Sequence, residues 1–291
     1  MKRALVTGGS GFLGSFVADA LAENGWDVVV FDREHSAYLR AGQTMVVGDV
    51  LDENALSRAA DGAQAVYHLA AAADINVAAQ AAAATAETNV VGTVRALEAA
   101  REGGAERFVL ASTVYVYSRA GGFYRCSKQA SEAYVEEFQR QHGLAYTILR
   151  YGSLYGPRAD DSNGVHRLLR QALEHGKVVH EGEPDDAREY IHVEDAARLS
   201  VEALGSEFAN QHLTLSGHHP LRLRDLFTMF SEILGREVTI DYRPPGESHY
   251  RITPYAFSPR VGRKLTANAY VDMGQGLLQV LQQIHDSGDP E

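Results

Sequence analysis

The 291-residue sequence predicts an α/β protein built on a doubly wound parallel sheet. Three features predict it. Short apolar runs alternate with helical patterns over the first two-thirds of the chain, the first run opens onto a glycine-rich turn, and an aspartate closes the second. The apolar runs fall at residues 4–6, 28–31, 45–47, 65–67, 108–110 and 146–149. Within them polar and apolar residues do not alternate, which is the mark of strands buried on both faces. Between the runs, the spacing predicts helices over 12–24, 53–60, 78–101, 124–142 and 164–175. The alanine-rich stretch 70–86 reads as a loop plus the start of the long third helix, because alanine is the best helix former. Strand–helix–strand repetition makes the strands parallel, with helices on both faces.

After Gly156-Pro157 the pattern becomes less regular, with breaks at Asn163-Gly164, Gly182, Pro184, His219-Pro220 and Pro244-Pro245-Gly246. A helix over 193–204 and a strand over 212–215 complete the sheet. The expected organisation is a nucleotide-binding domain, 1–160 plus 186–217, and a smaller substrate-binding lobe, 161–185 plus 218–291.

Composition narrows the function classes. Lys plus Arg is 27 against 38 Asp plus Glu, a net charge of −11, so the chain as a whole repels nucleic-acid phosphates and anionic lipid. The single cysteine, Cys126, rules out an internal disulfide framework and any Cys-rich metal site, and no metal is expected. His218-His219 reads as a surface loop. With no long apolar window and glycines arriving at once after Met1, the expectation is a cytoplasmic protein without membrane contact.

The turn Thr7-Gly8-Gly9-Ser10-Gly11-Phe12-Leu13-Gly14 sits between the first strand and the first helix. In a Rossmann-type unit, Gly8 permits the tight turn, Gly11 lets the backbone approach a pyrophosphate, and Gly14 lets helix and strand pack closely. Asp32, at the end of the second strand, is placed to accept hydrogen bonds from an adenosine ribose diol. It favours NAD over NADP, although Arg33 beside it offers a partner for a 2′-phosphate. Asp49, after the third strand, either reaches an adenine amino group or is a solvated loop residue.

Tyr124-Arg125-Cys126-Ser127-Lys128 places a phenol and an ammonium on one helical face. A tyrosine acting as a base near neutral pH needs a nearby positive charge, since its reference pKa is about 10. Lys128 can supply it, although such a spacing also occurs as an exposed surface pair. Thr113 ends the fifth strand, where its hydroxyl can meet a substrate oxygen; strand propensity alone also explains a threonine there. Cys126 is expected to be a small packed residue on this helix.

Together these segments resemble the extended short-chain dehydrogenase/reductase family, in particular its sugar-nucleotide epimerase/dehydratase group. The resemblance rests on the glycine turn, Asp32, Asp49-Val50, His68-Leu69-Ala70-Ala71, Asn89-Val90-Val91-Gly92-Thr93, Thr113 and Tyr124-x-x-x-Lys128. It continues through the segments 149–158 and 188–195. It implies a catalytic set of Thr113, Tyr124 and Lys128. It implies an NAD site that includes Gly8, Gly11, Phe12, Leu13, Gly14, Asp32, Arg33, Asp49, Val50, Leu69, Ala70, Ala71, Asn89, Tyr124, Lys128 and Tyr151. Substrate contacts fall on Thr113, Ser153, Arg188 and Arg243, of which Arg243 reads equally well as a surface ion-pair partner. A homodimer formed through the helices at 78–101 and 124–142 is also implied.

The resemblance implies further that 4,6-dehydratases carry Asp-Glu directly after the catalytic threonine. Here those positions are Val114 and Tyr115, which cannot move the protons of that elimination. The chemistry left is oxidation of one sugar carbinol. A retained ketone gives 4-epimerisation of a nucleotide sugar, and a released one gives a sugar or sugar-acid dehydrogenase. Ser153, where the family has asparagine, leans toward the second. A non-catalytic dinucleotide sensor is the reading from another class, and it leaves Tyr124 and Lys128 without purpose. Polyanionic ligands on a chain of net charge −11 call for local positive potential, expected from the first helix N-terminus and from Lys128, Arg150, Arg158 and Arg188.

Overall fold

A computed structural model describes residues 2–118 and 120–243. In chain order the strands are β1 (Arg3–Thr7), β2 (Asp27–Asp32), β3 (Gln43–Val47), β4 (Ala65–His68), β5 (Arg107–Thr113), β6 (Tyr146–Tyr151), β7 (Ser153–Tyr155), β8 (Lys177–Glu181), β9 (Ala187–His192), β10 (Gln211–Leu215), β11 (Pro220–Arg222) and β12 (Thr239–Arg243). The helices are α1 (Phe12–Glu23), α2 (Glu53–Ala60), α3 (Ile75–Gln80), α4 (Ala82–Ala86), α5 (Gly92–Glu102), α6 (Gly122–His142), α7 (Gly164–His175), α8 (Val193–Glu202) and α9 (Leu223–Leu234).

Seven strands form one parallel sheet in the order β10-β6-β5-β4-β1-β2-β3, the Rossmann arrangement. The unbroken apolar runs are divided between its faces by the two-residue strand period. Leu5, Val29, Phe31, Phe108 and Ile148 pack with Leu56 of α2, Leu97 of α5 and Val135 of α6. Their neighbours Val6, Val28, Val30, Val109 and Leu149 pack on the opposite face with Val17 and Leu21 of α1 and Ala196 of α8. Tyr67, wholly buried, donates to the Ser200 carbonyl at 2.9 Å, and Tyr151 meets the Ser200 hydroxyl at 2.6 Å, so α8 is fixed against two strands.

The long helix expected over 78–101 is interrupted. Ala81 leaves helical geometry (φ −133°, ψ 55°), and a π-helical segment, Glu87–Val91, joins α4 to α5. The cause is Asn89. Its carbonyl accepts from the Thr93 and Ser131 hydroxyls at 2.5 and 2.9 Å, and its amide turns inward, a competition with the backbone ladder typical of π-bulges.

The segment 186–217 divides. β10 joins the main sheet, whereas β9 lies in a separate three-stranded sheet between β7 and β11. From the remaining late residues, β8 and β12 pair in parallel, and α7 and α9 pack through Leu168, Ala172, Leu226, Phe227 and Phe230. The part of the expected lobe at 244–291 lies outside the described residues. Asp52, Asp74 and Asn163 cap α2, α3 and α7 through their side chains, which explains why those helices start where they do. Among the described residues no helix is long and apolar enough to cross a membrane.

Phe108 is fully buried between β4, β6 and the α5–α6 face. Phe108→Ala is expected to cost about 3–5 kcal/mol, read as a lower denaturant midpoint with an unchanged m-value.

Candidate functional site

The strands β1, β2, β4, β5 and β6 all end at one edge of the sheet, and a cavity of about 1170 Å³ opens there. Ligands collect at this edge in doubly wound sheets, where the chain order of the strands reverses. One half of the wall is the glycine turn with Asp32, Arg33, Asp49, Val50, Leu69, Ala70 and Ala71. Thr113, Tyr124, Lys128 and Tyr151 stand at the centre, and Ser153 and Arg188 belong to the other half.

Two glycines of the turn are required sterically. Gly8 has φ +71°, and a Cβ there would stand 2.6 Å from the Ala70 nitrogen. At Gly14 a Cβ would stand 2.1 Å from the Gly8 carbonyl oxygen. At Gly11, which precedes α1, a Cβ would face that same oxygen at 3.3 Å. No side chain caps α1, and its first turn holds no acidic residue. The positive helix end therefore faces the cavity, a surface shaped for a diphosphate. Asp32 accepts from the Ser10 backbone through Oδ2 at 3.0 Å and from the Glu34 backbone through Oδ1 at 3.4 Å, contacts that fix the carboxylate in the wall with further acceptor capacity for a ribose. These residues fit a dinucleotide.

The central trio comes from β5 and α6. Thr113 is 6% exposed, and its Oγ1 accepts from the Tyr115 backbone at 3.2 Å. Lys128, 2% exposed, donates from Nζ to the Ala111 carbonyl at 2.8 Å, and its ammonium lies 5.9 Å from the Tyr124 ring centre. Burial lowers the Lys128 pKa to about 8, against the opposing pull of the Glu132 charge. Burial, followed by the neighbouring Tyr115, pushes the Tyr124 phenol above its usual 10.0. Lys128 does not bring the tyrosine pKa down in the protein alone, and the phenol is neutral at neutral pH. His68, fully buried and bonded through Nδ1 to the Thr7 hydroxyl at 2.9 Å, falls to about 3 through burial and the Lys128 charge, so it stays neutral beside the lysine.

Several expected residues fall elsewhere. Asn89 does not line the cavity. Its amide clamps the loop after β4, accepting from the Ala72 nitrogen at 2.7 Å and donating to the Ala72 carbonyl at 3.1 Å and to the Ser127 hydroxyl at 2.9 Å. Its reach to a ligand is indirect, through that loop and through α6. Arg243, at the end of β12, is exposed, lies 3.8 Å from Asp241 and is absent from the cavity wall. Arg150 and Arg158 do not contribute open positive charge, since each is spent on a buried carboxylate. Arg150 grips Glu132, and Arg158 meets Asp19 at 2.7 Å while its guanidinium stacks on Phe16 and Tyr38 at 4.1 and 4.5 Å. Cys126 is exposed rather than packed, because two residues after Tyr124 the helix has turned its other face to the cavity.

Other wall residues were not singled out from the sequence. Tyr115 enters through the short 3-10 turn Val114–Tyr117 that follows β5. Asn163 begins α7, and the Asn-Gly read as a break is its N-cap; that signal was available. Arg167 reaches the wall from α7, and His180 and Tyr190 reach it through the late sheets, whose pairing leaves no mark in a single sequence. Among the described residues no group of three His, Cys, Asp or Glu side chains could hold a metal ion.

The profile of the NAD dependent epimerase/dehydratase family matches residues 4–215, and the chain belongs to that family. The UDP-glucose 4-epimerase of Thermotoga maritima, solved with UDP-glucose, is 30% identical, with 86% of this chain and 88% of that one covered at a TM-score of 0.78. The UDP-glucose 4-epimerase of Thermus thermophilus, solved with NAD, is 27% identical, with 90% and 95% covered and a TM-score of 0.78. The Escherichia coli dTDP-glucose 4,6-dehydratase 1 is 27% identical over 98% of this chain and 90% of its own length. Proteins of this family are enzymes, and NAD is the cofactor of the family.

Two expectations follow. Gly14→Ala forces the turn away from α1, and isothermal titration should show NAD affinity lost by about 100-fold or more while the circular dichroism spectrum is kept. The Lys128 pKa is about 8 folded against 10.5 unfolded, so between these values the unfolded chain holds more protons and stability rises with pH. The native state carries the whole penalty below pH 8, and Lys128→Met should raise stability at pH 7 by up to about 3 kcal/mol and flatten that slope in denaturant titrations.

Proposed function

We propose that the protein is an NAD-dependent nucleotide-sugar 4-epimerase acting by transient oxidation at the sugar C4. The observation that carries this reading is that Thr113, Tyr124 and Lys128 line the same cavity as the glycine turn and Arg188, with the Lys128 ammonium 5.9 Å from the Tyr124 ring centre. The glycine turn, Asp32, Val50 and Leu69–Ala71 hold the dinucleotide. Arg188 and Arg167 offer cationic groups to a diphosphate in the other half. When bound, NAD supplies a hydride acceptor for C4. Tyr124 removes the C4 hydroxyl proton as the phenolate, a form that requires the positive charge of bound NAD beside that of Lys128 because the phenol is neutral in the protein alone, and it returns the proton on the way back. Lys128 stabilises the charged phenol and holds the nicotinamide ribose, and Thr113 orients the reacting oxygen. Val114 and Tyr115 in place of an acid–base pair argue against water elimination, the activity named for the dehydratase relative.

An epimerase returns its hydride, so absorbance at 340 nm should stay flat while UDP-glucose is converted. A net rise would favour a dehydrogenase, the reading to which Ser153 leans. The homodimer expected from the family would draw on the exposed Val91 and Tyr134, which lie on the two helical segments concerned.

Tyr124→Phe keeps the ring and removes the proton acceptor. Turnover should fall by a factor on the order of hundreds or more, with NAD affinity held within about threefold. Turnover near that of the unmodified protein would sink the mechanism.

A further inference from the structure

Beneath the central trio lies an ion pair that the chemistry above does not use. Glu132, 6% exposed, stands one helical turn after Lys128 on α6. Its Oε1 accepts from the Ser112 hydroxyl at 2.5 Å and from Arg150 Nε at 3.0 Å, and its Oε2 accepts from Arg150 Nη2 at 2.6 Å. Ser112 immediately precedes Thr113 and lies opposite Arg150 in the β5–β6 register. Arg150 in turn donates from Nη1 to the Tyr117 hydroxyl at 2.7 Å and lies 4.7 Å from that ring. The carboxylate thus ties the catalytic helix to the tips of two strands at once.

A buried ion pair is a poor stabilising device, since desolvation consumes most of its attraction. Its position suggests a different use. We propose that Glu132 is a positioning residue that locks the strand tip carrying Thr113 to α6 and keeps the Lys128 ammonium charged. The proposal rests on the Tyr124–Lys128 reading above. The groups around the lysine are Tyr124 and Glu132 on its own helix, His68 on β4, the Ala111 carbonyl on β5 and, through Glu132, Arg150 on β6. His68 is neutral and Arg150 is positive, so Glu132 is the anion of this set. Burial of the lysine and buttressing by the carboxylate act in opposite directions on the same proton.

The test reads the lysine proton directly. The chain has Lys2, Lys128, Lys177 and Lys264, few enough for a resolved ¹³Cε-lysine NMR titration of the full-length protein. The Lys128 midpoint, expected at about 8, should fall by about one unit or more in Glu132→Gln and return toward that value in Glu132→Asp, which keeps the charge. Ser112→Ala cuts the tether without touching the charge; it should lower kcat several-fold and leave the midpoint in place. An unchanged midpoint in folded Glu132→Gln overturns the proposal. Full kcat in Ser112→Ala also overturns it, and this arm stands if the glutamine variant does not fold. Neither midpoint depends on turnover. Full activity in Lys128→Met would therefore refute the Tyr124–Lys128 reading separately.

Discussion

The organisation of this protein depends on one buried positive charge. Lys128 is held by the Ala111 carbonyl at 2.8 Å, where burial works to remove its proton. An ammonium in such a place is tolerated only with a fixed acceptor and a compensating field. β5 provides the first and Glu132 the second, and His68 adds no competing charge because it stays neutral. Without the alignment of β4, β5 and β6 at one edge of the sheet, those groups would not converge.

The same edge resolves a conflict between global and local electrostatics. With a net charge of −11, the chain as a whole repels polyanions, whereas the proposed ligands of its cavity are polyanions. The open end of α1, Lys128, Arg167 and Arg188 answer that field within the cavity wall. Arg150 and Arg158 act one layer deeper, where each neutralises a buried carboxylate and fixes the framework. The arginines therefore divide between lining the cavity and holding structure, a division set by what each side chain faces rather than by its place in a motif.

The main sheet was legible because its strands are apolar on both faces and its helices carry the right period. The glycine turn, Asp32 and the Tyr–Lys pair were legible because each needs a residue type at a spacing that backbone geometry dictates. What escaped depended on pairing between distant segments. Val114–Tyr117 turns Tyr115 into the cavity, and β8 and β9 deliver His180 and Tyr190, through contacts with no local periodicity. Asn89 stands out in the sequence but its partner does not, since one asparagine can serve a ligand or a loop. Its carbonyl, drawn to Thr93 and Ser131, also puts a π-helical turn where a regular α-helix was expected.

In the proposed reaction Tyr124 and Lys128 serve an oxidation whose hydride never leaves the cavity. The most direct measurement uses UDP-glucose deuterated at C4, incubated with the protein and NAD, and follows the label by mass spectrometry and NMR. The expected result is a 4-epimeric product that keeps deuterium at C4, with no label in solvent and no accumulating NADH. Loss of the label to water, or its build-up in released NADH, would contradict it.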